Sequence, residues 1–226
     1  VAFSSRVAEE FSNPWFSWSY VTDHSHDILA ATRSHVTLTL LAVAIGLAVA
    51  LPLALLGRRA RWLRGGVLGL SNVLYSIPSL AAIVALEPIF HLSIWTVVVP
   101  LAAYSLVILV RNILTGLDEV PKDTLEAARG MGLGAFRIFY GVELPLALPS
   151  IMAGLRIATV STIELVVIGG YIGQNGYGQP IFEGLHDNFR AEITTYVLLT
   201  VLLALVADLL ILGGQRLLTP WRRTRS

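Results

Sequence analysis

Groups able to do chemistry are scarce in this chain of 226 residues. It has no cysteine, which excludes disulfides, thiolate metal sites and thiol nucleophiles, and its one lysine is Lys122. A phosphate-binding loop needs Gly-x4-Gly-Lys-Ser/Thr, whereas Lys122 sits between Pro121 and Asp123, so the chain is not an ATPase by itself. His24-x-His26, flanked by Asp23 and Asp27, has the residue types of a metal site but reads as a solvated polar stretch, and no metal or cofactor is expected. More telling are Arg156, Glu164 and Asp208, which fall inside long apolar runs. In hydrocarbon a charge at mid-depth costs at least ~2.5–3.5 kcal/mol, so each must face protein or water. Thr159, Ser161 and Thr162 surround Glu164 and make this stretch the most polar part of its run, a pattern that predicts a helix lining an aqueous path. Arg156 and Asp208 carry opposite charges and are expected to pair.

These residues must be positioned by membrane-spanning helices. Only 14% of the chain is charged and 55% is hydrophobic, whereas an ordinary soluble domain has roughly 25% charged residues. Apolar runs cover Ser34–Leu56, Val67–Phe90, Ile94–Val110, Ala147–Ile172 and Ile193–Gly214, each near the ~20 residues that cross a ~30 Å hydrocarbon core. The second contains Ile77-Pro78-Ser79 and the third Pro100; proline removes a backbone donor and bends a helix, and the freed carbonyl then needs a partner. Ala42, Gly46 and Ala50 form a ridge of small residues on the first run, where a second helix can come close. The chain is therefore expected to be an all-α polytopic membrane protein with five transmembrane helices. Residues 1–33 form an N-terminal segment whose aromatics (Phe11, Trp15, Phe16, Trp18, Tyr20) suit the headgroup level, 34–218 the membrane domain, and 219–226 a basic tail.

Orientation follows from the basic residues. If the Arg58–Arg64 loop is cytoplasmic, 12 of the 16 Lys and Arg residues lie inside, three (Arg6, Arg33, Arg190) lie outside, and Arg156 lies within a span. This places the chain in the cytoplasmic membrane with its N-terminus outside and its C-terminus in the cytoplasm. All five histidines then fall on or near the outer side, none within a span, which argues against an intramembrane enzyme. Arg156, nine residues in from Ala147, and Asp208, eight before Arg216, come to similar depths of about 12–14 Å at 1.5 Å per residue. A net charge of +1 and the absence of a basic stripe leave no case for nucleic acid.

The connection between spans three and four is not simple linker. Pro121 after an acidic pair starts a short amphipathic helix in which Leu125, Ala128 and Met131 share a face. Gly130, Gly132 and Gly134 allow a sharp turn into a second helical piece around Phe136–Val142, and Pro145 leads into span four. The product is a compact helix-turn-helix on the cytoplasmic side, a small-residue knob shaped to dock in a partner's groove.

The order Glu126-Ala127-Ala128, three residues, Gly132, nine residues, Val142, one residue, Leu144-Pro145 resembles the EAA loop of binding-protein-dependent ABC importer permeases, whose pattern is Glu-Ala-Ala-x3-Gly-x9-Ile-x-Leu-Pro; Val142 for Ile is the one departure. Ile77-Pro78-Ser79-Leu80-Ala81, Arg111-Asn112-x2-Thr115-Gly116-Leu117, and the Gly169–Gly178 turn with Ile181-Phe182-x-Gly184-Leu185 resemble permeases for quaternary-ammonium osmolytes: glycine betaine, carnitine and choline. The resemblance covers roughly residues 34–215. It implies a half-transporter that pairs with an identical or homologous second permease subunit, docks its EAA loop on a separate ABC ATPase subunit, and receives substrate from an extracytoplasmic binding protein. The coupling residues it implies are Glu126, Ala127, Ala128, Gly130, Gly132, Leu144 and Pro145. A permease for another small solute, an amino acid or an oxyanion, is the alternative within transport; a non-transport membrane protein is the other.

Overall fold

The computed structural model of the chain describes residues 13–59 and 61–220; Phe11, Arg6, Ala60 and the basic tail residues Arg222, Arg223 and Arg225 lie outside them. The described residues form ten α-helices and no strand: α1 (Trp18–Asp23), α2 (Ser25–Arg59), α3 (Arg61–Ser76), α4 (Ser79–Phe90), α5 (Trp95–Asp118), α6 (Lys122–Gly130), α7 (Ala135–Ile138), α8 (Leu144–Gly169), α9 (Gly178–His186) and α10 (Arg190–Leu218). One π turn, Phe139–Glu143, joins α7 to α8, and a 3-10 turn, Gly170–Ile172, follows α8. Four helices, α2, α5, α8 with its N-terminal extension, and α10, are long and apolar enough to cross a membrane. The α3–α4 pair makes a fifth span if its two arms, bent by 89°, are counted as one.

That bend falls at the sequence-predicted proline. Pro78 has an extended ψ of 132° and caps α4, and the residue before a proline is itself pushed out of the helical region. The break frees the Ile77 carbonyl, which accepts a hydrogen bond from the Tyr104 hydroxyl on α5. Pro100 does not break α5: it lies in the second turn of a helix that runs on to Asp118. The expectation of a separate segment 1–33 also shifts, because α2 begins at Ser25 and takes residues 25–33 into the first long helix.

At the centre lies α5, packed between α2 and α8. It is the most deeply buried of the spanning helices, whereas α10 packs on α8 at the periphery. Val97, Val98, Leu101, Leu109, Val110 and Ile113 are fully buried along it. The small-residue ridge on α2 faces α5: Ala42 and Ala50 are fully buried, and a Cβ built on Gly46 would stand 2.0 Å from the Ser105 hydroxyl oxygen. A larger residue at 46 would displace the Ser105 hydroxyl and press on the α5 backbone, where the Ala102 carbonyl lies 3.1 Å from the added Cβ.

Polar groups within the bundle find partners there. His35 was expected to lie at the outer end of a span; it lies ten residues into α2, fully buried, and corrects the expectation that no histidine enters a span. Its Nδ1 accepts the Tyr177 backbone N–H at 3.3 Å, so Nε2 carries the proton and donates to the Ile163 carbonyl at 3.0 Å. With both nitrogens occupied by backbone groups, this imidazole ties α2 to α8 and to the loop before α9, and it is not a free base. Between α8 and α10, Arg156 donates from Nε and Nη2 to the two carboxylate oxygens of Asp208, each at 2.7 Å. This bidentate geometry holds a guanidinium and a carboxylate in one plane.

The pair generates a test. Asp208→Ala strands the arginine and is expected to lower the amount of assembled protein in the membrane severalfold, while the exchange Arg156→Asp with Asp208→Arg restores part of it. Equal yields from wild type and both single neutralisations, measured by quantitative immunoblot of membranes, would remove the pair from any account of how α8 and α10 pack.

Candidate functional site

The α5–α8 connection folds as a helical cap packed on one end of the bundle. Pro121 precedes the first residue of α6, where its missing N–H leaves no bond unmade. Leu125 and Ala128 point inward and join a core that includes Leu117, Val120, Ile138, Ala147 and, from α2, Ala50 and Ala54. The C-terminus of α6 closes as a Schellman motif: Leu133 N–H donates to the Ala128 carbonyl at 3.2 Å and Gly132 N–H to the Arg129 carbonyl at 2.9 Å. Gly132 carries the left-handed turn with φ +77°. The interval of three residues between Ala128 and Gly132 is thus the interval between the helix position that receives the long bond and the left-handed residue beyond its end.

The outward face of this cap exposes apolar side chains among charged ones. Glu126, Ala127, Gly130 and Gly132 are exposed. Met131 is 72% exposed, which corrects the expectation that it shares the buried face of Leu125 and Ala128, since the helix has ended one residue before it. Phe136 is 74% exposed and packs against Tyr140 with the rings tilted by 46° and their centroids 4.4 Å apart. Beside them lies a shallow depression lined by Leu133, Arg137, Gly141 and Val142. Exposed aromatics contiguous with small residues, between charges at Glu126, Arg129 and Arg137, have the make-up of a protein-docking surface.

Charged pairs fasten the cap to the spans. Arg58, at the end of α2, donates to both carboxylate oxygens of Glu143, the second contact at 3.0 Å; Glu143 is 7% exposed and lies in the π turn immediately before Leu144 and Pro145, which are half-buried. Arg64 on α3 meets Asp118 at 2.6 Å, and the Ser150 hydroxyl donates to Glu119 at 2.7 Å. In the sequence Arg58 and Arg64 stand out only as markers of orientation, and Glu143 is not singled out as a partner. The hint was present: Glu143 is a carboxylate between Val142 and Leu144, where an unpaired charge has no place.

The four polar residues expected to line a path divide between two sides of α8. Thr159 and Thr162, about 60° apart on the helix, are buried against the rest of the chain, and Thr162 donates to the Ala158 carbonyl at 2.7 Å. Ser161 and Glu164, also about 60° apart, look the opposite way; Ser161 is half-buried, and Glu164 is exposed with no hydrogen bond or ion pair among the described residues. Tyr20, expected at the headgroup level with Trp15, Phe16 and Trp18, is instead buried, and its phenol donates to Glu192 at 2.9 Å. Burial, then this carboxylate, raise the Tyr20 phenol far above its ordinary value, so it remains a donor at any physiological pH.

Residues 36–224 match the protein family described as "Binding-protein-dependent transport system inner membrane component". The chain is 34% identical over 209 residues to the glycine betaine/carnitine/choline transport system permease protein OpuCD of Bacillus subtilis, covering 92% of this chain and 91% of that one. It is also 34% identical over 206 residues to the osmoprotectant import permease protein OsmW of Salmonella typhimurium, with 89% and 96% covered. In fold it is similar to a chain of the MetNI methionine ABC transporter solved in inward-facing conformations, with a TM-score of 0.75 at 21% identity over 87% of this chain and 98% of that one. The chain therefore belongs to the inner membrane components of binding-protein-dependent transport systems.

Proposed function

We propose that this chain is the permease subunit of an ABC importer for an osmoprotectant such as glycine betaine, carnitine or choline, and that it forms half of the translocation path. The observation that carries the coupling role is the cap from α6 to the π turn: an exposed apolar ledge rooted in the same core as α2, α5 and α8. In this reading Glu126 anchors the loop by its charge, Ala127 and Ala128 allow close packing, and the Gly132 turn with Leu144 and Pro145 sets the ledge against span four. The partners are two ABC ATPase subunits, a second permease subunit, identical or homologous, and an extracytoplasmic binding protein. The solute class rests on the names of the relatives. When ATP draws the two ATPases together, each cap moves with its bundle as one body, and the helices rock between inward- and outward-open states. Ser161 and Glu164, which look away from the chain's own core, face the path or the second subunit.

Two experiments test this reading. Gly132→Val forces a β-branched residue into the left-handed region at ~1–2 kcal/mol, whereas Gly132→Asn suits it. The valine variant is expected in the membrane but with co-purification of the ATPase reduced at least severalfold, and the asparagine variant is expected to retain most of it. Full ATPase retention and full uptake in both would refute docking through this loop.

The 12-to-3 charge bias also predicts orientation, with the cap in the cytoplasm and the N-terminus outside. A cysteine introduced at Asp187, which is exposed, should react with an impermeant maleimide in intact cells, and one at Lys122 only after permeabilisation. The reverse pattern would invert the topology.

A further inference from the structure

The cap is continuous in sequence with α5 and α8, whereas α2 ends beside it without joining it. What ties α2 to the cap is the packing of Ala50 and Ala54 in the shared core and the contact of Arg58 with Glu143. Alanine methyls against apolar neighbours leave the axial position of a helix loosely defined. A guanidinium that meets both oxygens of a carboxylate fixes it, because a slide of a fraction of a turn breaks both bonds. Glu143 is the last residue of the π turn, so it stands where the cap becomes a span.

The far end of α2 is held as specifically. The Thr32 hydroxyl accepts the Tyr177 phenol at 2.9 Å, and His35 adds its two bonds, to the Tyr177 N–H and the Ile163 carbonyl. Tyr177 is buried in the loop between α8 and α9, with its ring stacked on that of His35 at a centroid distance of 4.6 Å. The direct route from α8 into this loop is softer, since it passes through Gly173 at φ +76° and Gly176 at φ +149°. Between its two ends α2 is one unbroken helix that runs through Pro52. His35 and Arg58 are 23 residues apart, about 35 Å at 1.5 Å per residue, which matches the depth of a ~30 Å hydrocarbon core. Along that length α2 offers α5 the small residues Ala42, Gly46 and Ala50, with the Ser105 hydroxyl reaching the Ala42 carbonyl at 3.3 Å.

We infer that α2 is a strut between the cap and the α8–α9 loop, and that Arg58 and Glu143 are the positioning residues that engage it. Movement of the cap passes through the pair into α2 and arrives at Tyr177, at the other end of the bundle. With the pair cut, the cap still docks and α5 and α8 still follow it, but α2 and the loop it grips lag behind. The inference rests on the permease reading for the source of the movement, an ATPase acting on the cap. It adds a route by which events at the cap reach the opposite mouth of the bundle.

The test uses the purified permease–ATPase complex in detergent, with Asn175→Cys, an exposed position in the loop, as the one cysteine of the chain. Its rate of reaction with a fluorescent maleimide is measured without nucleotide and after trapping with ATP and vanadate. With the pair intact the rate is expected to change roughly tenfold on trapping, and in Glu143→Gln by less than about twofold. Glu143→Gln is near-isosteric and leaves Arg58 at a helix end where it can reach water, so ATPase co-purification and vanadate trapping should persist. Arg58→Gln and the double variant should match Glu143→Gln, because two residues that act as one contact do not add. The strut is overturned by a rate that ignores trapping while the pair is intact, or by a change that survives in Glu143→Gln. It is overturned equally by single effects that add in the double variant, or by loss of the ATPase from Glu143→Gln, which would make the pair part of docking. Each of these results is read with ATPase bound to the unmodified permease and leaves the permease reading standing. A permease with its pair intact that retains no ATPase refutes that reading, and the strut falls with it.

Discussion

Hydrocarbon offers no hydrogen bonds, so every carbonyl released by a break and every charge carried into a span must be answered by protein or by water. The arrangement of this bundle follows from that constraint. The chain breaks at Ile77 and the Tyr104 phenol covers the freed carbonyl, which fixes α5 against the elbow of α3 and α4. A histidine enters α2, and its two nitrogens fasten α8 and the following loop. An arginine enters α8, and an aspartate on α10 meets it with both oxygens. Apolar packing brings these helices together without specifying which residue stands opposite which, and the polar contacts supply that register.

Much of this was legible in the sequence, because hydropathy runs and charge placement act locally. The long helices overlap the five apolar runs, and the arginine–aspartate pair followed from counting rise per residue along two neighbouring helices. What was not legible depends on direction rather than position. Proline announced a disturbance at both 78 and 100, yet only Pro78 breaks its helix, whereas α5 runs through Pro100 and on to Asp118. Tyr20 looked like its neighbours Trp15, Phe16 and Trp18, and nothing local said that it would turn inward to Glu192. The four polar residues of span four looked like one lining because they are close in sequence. Helical phase sends two of them into the core and two away from it.

The cap and the spans are a single mechanical object. Leu125 and Ala128 of α6 share a core with residues of α2, α5 and α8, and the Arg58–Glu143 pair crosses the same junction. A push on the exposed ledge therefore has no soft linker in which to dissipate, and it reaches three spans at once.

The π turn at Phe139–Glu143 has a further consequence for how such a surface is aimed. A wide turn holds about one residue more than an α-turn, so it rotates everything before it by about 100° relative to everything after. The face that α8 turns toward α5 and the direction in which Phe136 and Tyr140 project are thereby set separately, although both lie on one nearly continuous helix. Such a helix works like a shaft with a keyed offset: the packing of the span is free to hold its phase while the ledge is clocked to meet a partner, and a single-residue deletion within the turn would leave both ends folded but pointing the wrong way relative to each other.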